Sequence, residues 1–320
     1  MGKHAKIWLI IAASLVLAGG LLFSAVMAAL KWDFTKLSTV KYETNTYELS
    51  EEYNAIAVTT ATADIVLVPS DNAKSTVVCC ERKNERHSVT VKDGTLVIEA
   101  VDTRKWYEYI GIDFGSPKIT VTVPRGEYGA LSVRSSTGDV EIPKDLTFDR
   151  VDISESTGDV TCRASVSGRL TVKTSTGDIR VENASAGALD LSVSTGNVTV
   201  SGVVCTGDVT VRVSTGKTTL TDVTCNNVRT SGDTGDISLK NVIAADKFSI
   251  ERSTGDVKLD GCDAAELAIK TDTGDVTGSL LTEKVFIAQA DTGRVDVPKT
   301  ASGGKCTITT DTGDIKITIR

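Results

Sequence analysis

Seven aspartates each follow a Thr-Gly pair that recurs every 19 or 20 residues, at Asp139, Asp159, Asp178, Asp236, Asp256, Asp275 and Asp314. Carboxylates recurring in one sequence context suggest a calcium-binding row, so a metal ladder is the first chemistry to weigh. Calcium-binding β-rolls need paired glycines at a nine-residue period, whereas here the period is 19 or 20 residues. The row is also interrupted at equivalent positions by Asn197, Lys217 and Arg294. Stacked carboxylates about 5 Å apart repel by roughly 1 to 4 kcal/mol, and a metal ladder would not insert Lys and Arg. The aspartates are therefore expected to hydrogen-bond the turn backbone and stay solvated. No metal-ligand set and no cofactor is expected.

Other reactive side chains are few. His87 is the only histidine beyond the apolar N-terminal run, and no G-x-S-x-G elbow occurs, so no catalytic residue is expected. Seven cysteines invite disulfide arithmetic. Cys205 and Cys225 each lie nine residues after a repeat glycine, in adjacent repeats. Stacking would put their α-carbons about 5 Å apart, which a disulfide accepts. A bond is expected there, with a thiol stack as the alternative. Cys162 reads as a small core residue, and Cys79 and Cys80 as strand neighbours facing opposite ways. Trp106, Tyr107 and Tyr109 concentrate aromatic surface in a stretch that breaks the repeat. They read as a partner surface or as a hydrophobic lid on the early coils.

The elements that carry these residues follow from the repeat. Thr-Gly recurs at Gly138, Gly158, Gly177, Gly196, Gly216, Gly235, Gly255, Gly274, Gly293 and Gly313. Apolar residues alternate on either side, as in Val140 and Ile142 after the first glycine and Val133 and Leu131 before it. Period two with β-branched residues predicts strands, and the glycines are expected as structural turn residues. A 19–20-residue unit with two short strands cannot bury a core alone, but stacked units can. The expected fold is all-β: a single-stack β-solenoid of about ten regular coils over 129–320, preceded by degenerate coils with the aromatic loop over 53–128. Ladders of small branched side chains would explain why only Phe148, Phe248 and Phe286 of the aromatic residues fall after position 128.

Upstream, residues 1–6 carry Lys3 and Lys6, and residues 7–30 are uncharged. Such a run spans about 36 Å as a helix, enough for a hydrocarbon core of about 30 Å. It is expected to be one transmembrane signal anchor, with a long cleaved signal peptide as the alternative. Residues 31–52 read as a stalk. Positive charge at the N-terminus is expected to leave that end in the cytoplasm and everything after Trp32 outside the membrane. Without Lys3 and Lys6 the chain carries 33 basic against 42 acidic side chains, a balance that excludes nucleic acid as a partner. The anchor makes the membrane itself a partner.

Strands ending in Val-Pro or Ile-Pro, followed by repeated Ser-Thr-Gly-Asp-Val and Asp-Thr-Gly-Asp-Ile over about residues 50–320, resemble the bacterial putative-adhesin family of β-strand-repeat envelope proteins, a domain of unknown function. The resemblance implies a β-solenoid on the outside of a bacterial membrane, sometimes linked to envelope stress, and brings no catalytic residues. The expected function is a non-enzymatic, membrane-anchored surface scaffold or binding module, with a cell-wall glycan or another envelope protein as the partner classes. The alternative is a polysaccharide-active β-helix enzyme.

Overall fold

The computed structural model describes residues 2–38, 40–103, 106 and 115–320, without the side chains of Lys3 and Thr35. The apolar run forms α1 (Lys3–Ala29). Its stretch His4–Ala29 is long and apolar enough to cross a membrane and is not buried against the rest of the chain. A 3-10 turn, Phe34–Leu37, follows.

All further regular structure is strand. The first seven are β1 (Tyr42–Leu49), β2 (Ala55–Thr62), β3 (Asp64–Ser70), β4 (Ser75–Arg82), β5 (Glu85–Lys92), β6 (Thr95–Asp102) and β7 (Lys118–Pro124). The first regular coil is β8 (Gly126–Thr137), its glycine turn and β9 (Val140–Ile142). Strands β10 to β19 repeat that pattern between Leu146 and Cys262. The last six are β20 (Glu266–Thr273), β21 (Val276–Leu280), β22 (Lys284–Thr292), β23 (Val295–Asp296), β24 (Gly304–Thr312) and β25 (Ile315–Ile319).

The regular coils pair in parallel and in register. Val151 lies between Leu131 and Leu170, and Val160 between Val140 and Ile179. Alternation therefore stacks each inward residue on its equivalent, and these columns make one continuous buried core. Each coil turns three times. The first corner is the glycine turn. The second, six residues on, has positive φ of 50–63° at Asn183, Gly202, Asp222, Asn241 and Gly261, residue types that tolerate the left-handed region best. The third is a register shift within the long strand, as between Phe148 and Val151.

The β-solenoid expected from the repeat is what forms, with differences at its ends. Of the stretch read as stalk, Tyr42–Leu49 is instead β1, paired antiparallel with β4. Within 53–128, β2/β3 and β6/β7 are parallel coils, but β4 pairs antiparallel with β7, and β5 with β6. These antiparallel strands close the end of the stack. Spatial order also departs from chain order. The β2/β3 coil lies between β6/β7 and β8/β9. At the other end, β24/β25 is inserted between β20/β21 and β22/β23. The chain leaves one coil-width open, builds the outermost coil, and returns to fill the gap. The core also admits large rings: Phe148 and Phe248 are fully buried, each with a valine on one neighbouring rung, Val166 and Val228 respectively.

Candidate functional site

The glycine turns are fixed twice over. All ten have φ between 120° and 153°, and a Cβ on any of them would lie 1.9–2.2 Å from a carbonyl oxygen of the coil beneath. Beside them runs the aspartate row, and its geometry gives the row its purpose. The Asp159 N–H donates to Asp139 Oδ1 at 2.8 Å, Asp178 N–H to Asp159 Oδ1 at 2.8 Å, and Asn197 N–H to Asp178 Oδ1 at 2.9 Å. Asn197 Oδ1 accepts the Lys217 N–H in turn. Each carboxylate thus caps the backbone of the next coil, not its own turn alone. The displaced last coil completes the pattern, because Asp314 N–H reaches Asp275 Oδ1 at 2.7 Å and Arg294 N–H reaches Asp314 Oδ1 at 2.8 Å. Arg294 ends the stack, where no further coil needs an acceptor.

One inward column carries both Glu155 and Arg252, two buried charged groups of the regular coils. It runs from Thr60 through Ser135, Glu155 and Thr174 to Val193 and Val213, and later through Gly232, Arg252 and Thr271. Glu155 is buried, and neither carboxylate oxygen has a hydrogen-bond partner among the described residues. Burial, reinforced by the charges of Asp139, Asp159 and Asp64, pushes its pKa up to about 8. Arg252 is 2% exposed. Its guanidinium crosses the space left by Gly232 to donate to the Val213 carbonyl at 2.8 Å, and burial pulls its pKa down against the opposing charges of Asp233 and Asp236. A recess of about 390 Å³ opens here, in which the carboxylates of Asp233, Glu251 and Asp272 alternate with Arg212, Arg252 and Lys270. A glycine in an otherwise side-chain-filled column is the sequence signal for this recess.

At the closed end, the β4–β5 hairpin splits, β4 joining β1 and β7 while β5 joins β6. Their inward faces bring Cys79, Glu81 and His87 together, all buried. His87 Nδ1 lies 2.7 Å from Glu81 Oε2, which also accepts the His87 N–H at 2.6 Å. His87 Nε2 is 3.0 Å from Thr60 Oγ1, and Asn45 Nδ2 donates to Glu81 Oε1 at 2.7 Å. Sequence reasoning counted His87 as isolated because its partners arrive through the split hairpin.

The structure sets Cys205 and Cys225 on adjacent rungs, as the register of Val204 with Thr224 requires, without joining them. Cys205 and Cys225 are buried free thiols on neighbouring coils; Cys205 Sγ contacts the Gly187 and Asp208 carbonyls at 3.5 and 3.7 Å. Burial raises both, Cys225 to about 12. Trp106 is exposed, while Tyr107 and Tyr109 lie outside the described residues. At the opposite end, β22 pairs only with β24 among the described residues. Leu281, Val285, Ile287 and Val295 expose apolar side chains there.

A family model, Toastrack DUF4097, matches residues 53–212 and 205–320. No curated protein matches the chain. Among solved structures, a putative adhesin from Bacteroides fragilis is similar at 19% identity over 87% of this chain and 97% of that one, with a TM-score of 0.45. A putative adhesin from Parabacteroides distasonis is 14% identical over 87% and 98%, with a TM-score of 0.47. A putative lipid binding protein from the same species is 15% identical over 86% and 97%, with a TM-score of 0.43.

Proposed function

The chain belongs to the Toastrack DUF4097 family, and from that premise we propose that it is a non-enzymatic surface binding module. In this reading α1 holds it in a bacterial cell membrane with the N-terminus in the cytoplasm, and the solenoid is displayed outside. The observation that carries the binding role is the free end of the stack. There an edge strand with unpaired backbone groups coincides with exposed Leu281, Val285, Ile287 and Val295, at the end opposite the one where the anchor joins. Unpaired strand edges and apolar patches are surfaces that proteins otherwise cover. The fit is to another envelope protein that adds a strand to β22.

The test places a photo-crosslinking residue at Ile287 or, as control, at the mid-rod Thr161, in native membranes. Adducts with an envelope protein from position 287 alone are expected. Equal adducts at both positions, or none, would refute the reading. An impermeant reagent should reach a C-terminal tag in intact spheroplasts; protection of the tag would reverse the orientation.

One observation favours the alternative, a polysaccharide-active enzyme: the recess at Arg252 groups the carboxylates of Asp233, Glu251 and Asp272. Turnover of cell-wall or acidic glycans that is lost in Glu251→Gln would establish it.

A further inference from the structure

We propose that Cys79, Glu81 and His87 form a binding site for a divalent transition metal of the zinc class at the closed end of the solenoid. One ligand atom from each, a thiol sulfur, a carboxylate oxygen and a ring nitrogen, lie within 4.8 Å of one another. Sulfur, nitrogen and oxygen donors together suit zinc, whose bonds to them are about 2.0–2.3 Å long.

The surroundings are those of a held ligand set. A metal-bound histidine usually donates its second ring N–H to a neighbour, which fixes the tautomer and ring orientation. His87 Nε2 has that neighbour in Thr60 Oγ1 at 3.0 Å, leaving Nδ1 to face the cluster. Ligating carboxylates are likewise held through their other oxygen, and Asn45 Nδ2 donates to Glu81 Oε1 at 2.7 Å. The Tyr47 hydroxyl donates to the His87 carbonyl at 3.1 Å, tying the histidine backbone to β1. Four elements, β1, β2, β4 and β5, therefore meet at this point.

Charge supports the same assignment. Burying a charge is costly unless it is compensated, and a thiolate plus a carboxylate neutralise a divalent cation. Binding releases the Cys79 thiol proton to solvent and replaces the contact between His87 Nδ1 and Glu81 Oε2 with bonds to the ion. Two ligands on a tetrahedral ion stand about 3.3 Å apart, so the 2.7 Å contact between Nδ1 and Oε2 must open by about half an ångström. A water completes the fourth position. The ion would link β4 to β5 where the hairpin splits, and so lock the capping strands onto the first coil.

The experiment uses the full chain in detergent micelles, stripped with chelator and titrated with cobalt(II) as a spectroscopic stand-in for zinc. One equivalent of cobalt should produce a sulfur-to-cobalt charge-transfer band that zinc then displaces. Cys79→Ser should abolish the band, and His87→Gln, which keeps a hydrogen-bonding side chain, should weaken binding at least tenfold. Cys80→Ser, on the opposite face of β4, should leave it intact. X-ray absorption of the zinc-loaded wild type, which needs no folded variant, should give one sulfur and otherwise nitrogen or oxygen ligands. No spectral change at excess cobalt, a band that survives Cys79→Ser, or a coordination shell with no sulfur or several would overturn the proposal.

Discussion

Glu155 makes the stability of the rod depend on pH in a direction opposite to that of most carboxylates. Burial raises its pKa from 4.5 to about 8 in the folded chain, so between those values the native state holds a proton that the unfolded chain releases. Stability then falls as pH rises. Below 4.5 both states are protonated and the group contributes nothing; above 8 both are ionised and the full cost is present. Each unit of difference is worth about 1.4 kcal/mol, so the loss between pH 4.5 and 8 is about 3–5 kcal/mol. In a stacked-coil protein the damage should be local. The assay is amide hydrogen exchange over residues 151–160, together with urea unfolding, on the full chain in micelles from pH 5 to pH 9. Glu155→Gln should flatten the dependence and stabilise the chain at pH 9 by about 3–5 kcal/mol, with little change at pH 5. Asp139→Asn, which keeps an acceptor for the Asp159 N–H and removes one of the charges acting on Glu155, should move the wild-type transition to lower pH. A wild-type profile flat from pH 5 to 9, or one that Glu155→Gln leaves unchanged, would refute the reasoning.

Gly196→Ala should destabilise by at least about 3 kcal/mol, because φ is 145° and the new Cβ would meet the Gly177 carbonyl oxygen at 2.0 Å; a thermal midpoint within two degrees of wild type would contradict this. Asp178→Ala should cost about 1 kcal/mol by orphaning the Asn197 N–H, while Asp178→Asn should be nearly neutral in the same unfolding assay, as the natural Asn197 suggests. Deleting residues 304–320 should make 284–296 sensitive to protease, since among the described residues β22 and β23 form strand pairs only with the deleted strands; continued protection would show that the coil can stack directly on β20. Cys205 and Cys225, raised by burial, should resist alkylation until the chain unfolds, and recovery of both as free thiols under non-reducing conditions would rule out the pairing expected from their spacing.

The repeat made the fold legible because in-register stacking transmits each residue's role to its equivalent one period away. Val140, Val160 and Ile179 could be placed in one column from spacing alone. What spacing could not supply was order in space. Arg294 read as an interruption of the aspartate row because it was placed between Asp275 and Asp314 in the chain; in the structure Asp314 bonds Asp275, and Arg294 stands at the end. The cap was illegible for a related reason. Glu81 and His87 are six residues apart across a hairpin whose strands join different partners, so neither helical nor strand periodicity brings them together. Glu155 and Arg252 were visible as charges at inward positions, yet period-two reading records only that a column is inward and not that one rung carries a charge.

The two displaced coils answer a single physical problem. A stack of parallel coils has two unpaired edges, and its last coil, bonded on one side only, is where unravelling starts. Here the terminal strands β24 and β25 lie between two others, and the Arg320 N–H donates to the Leu280 carbonyl at 2.9 Å. To peel β24 and β25 from the end of the stack, the β22/β23 coil must first come away. At the opposite end β2/β3 is similarly enclosed, and β1, β4 and β5 continue the stack with antiparallel strands. Among the described residues both ends present an edge strand, β1 paired only with β4 and β22 paired only with β24, and exposed Val285 and Ile287 set the second apart.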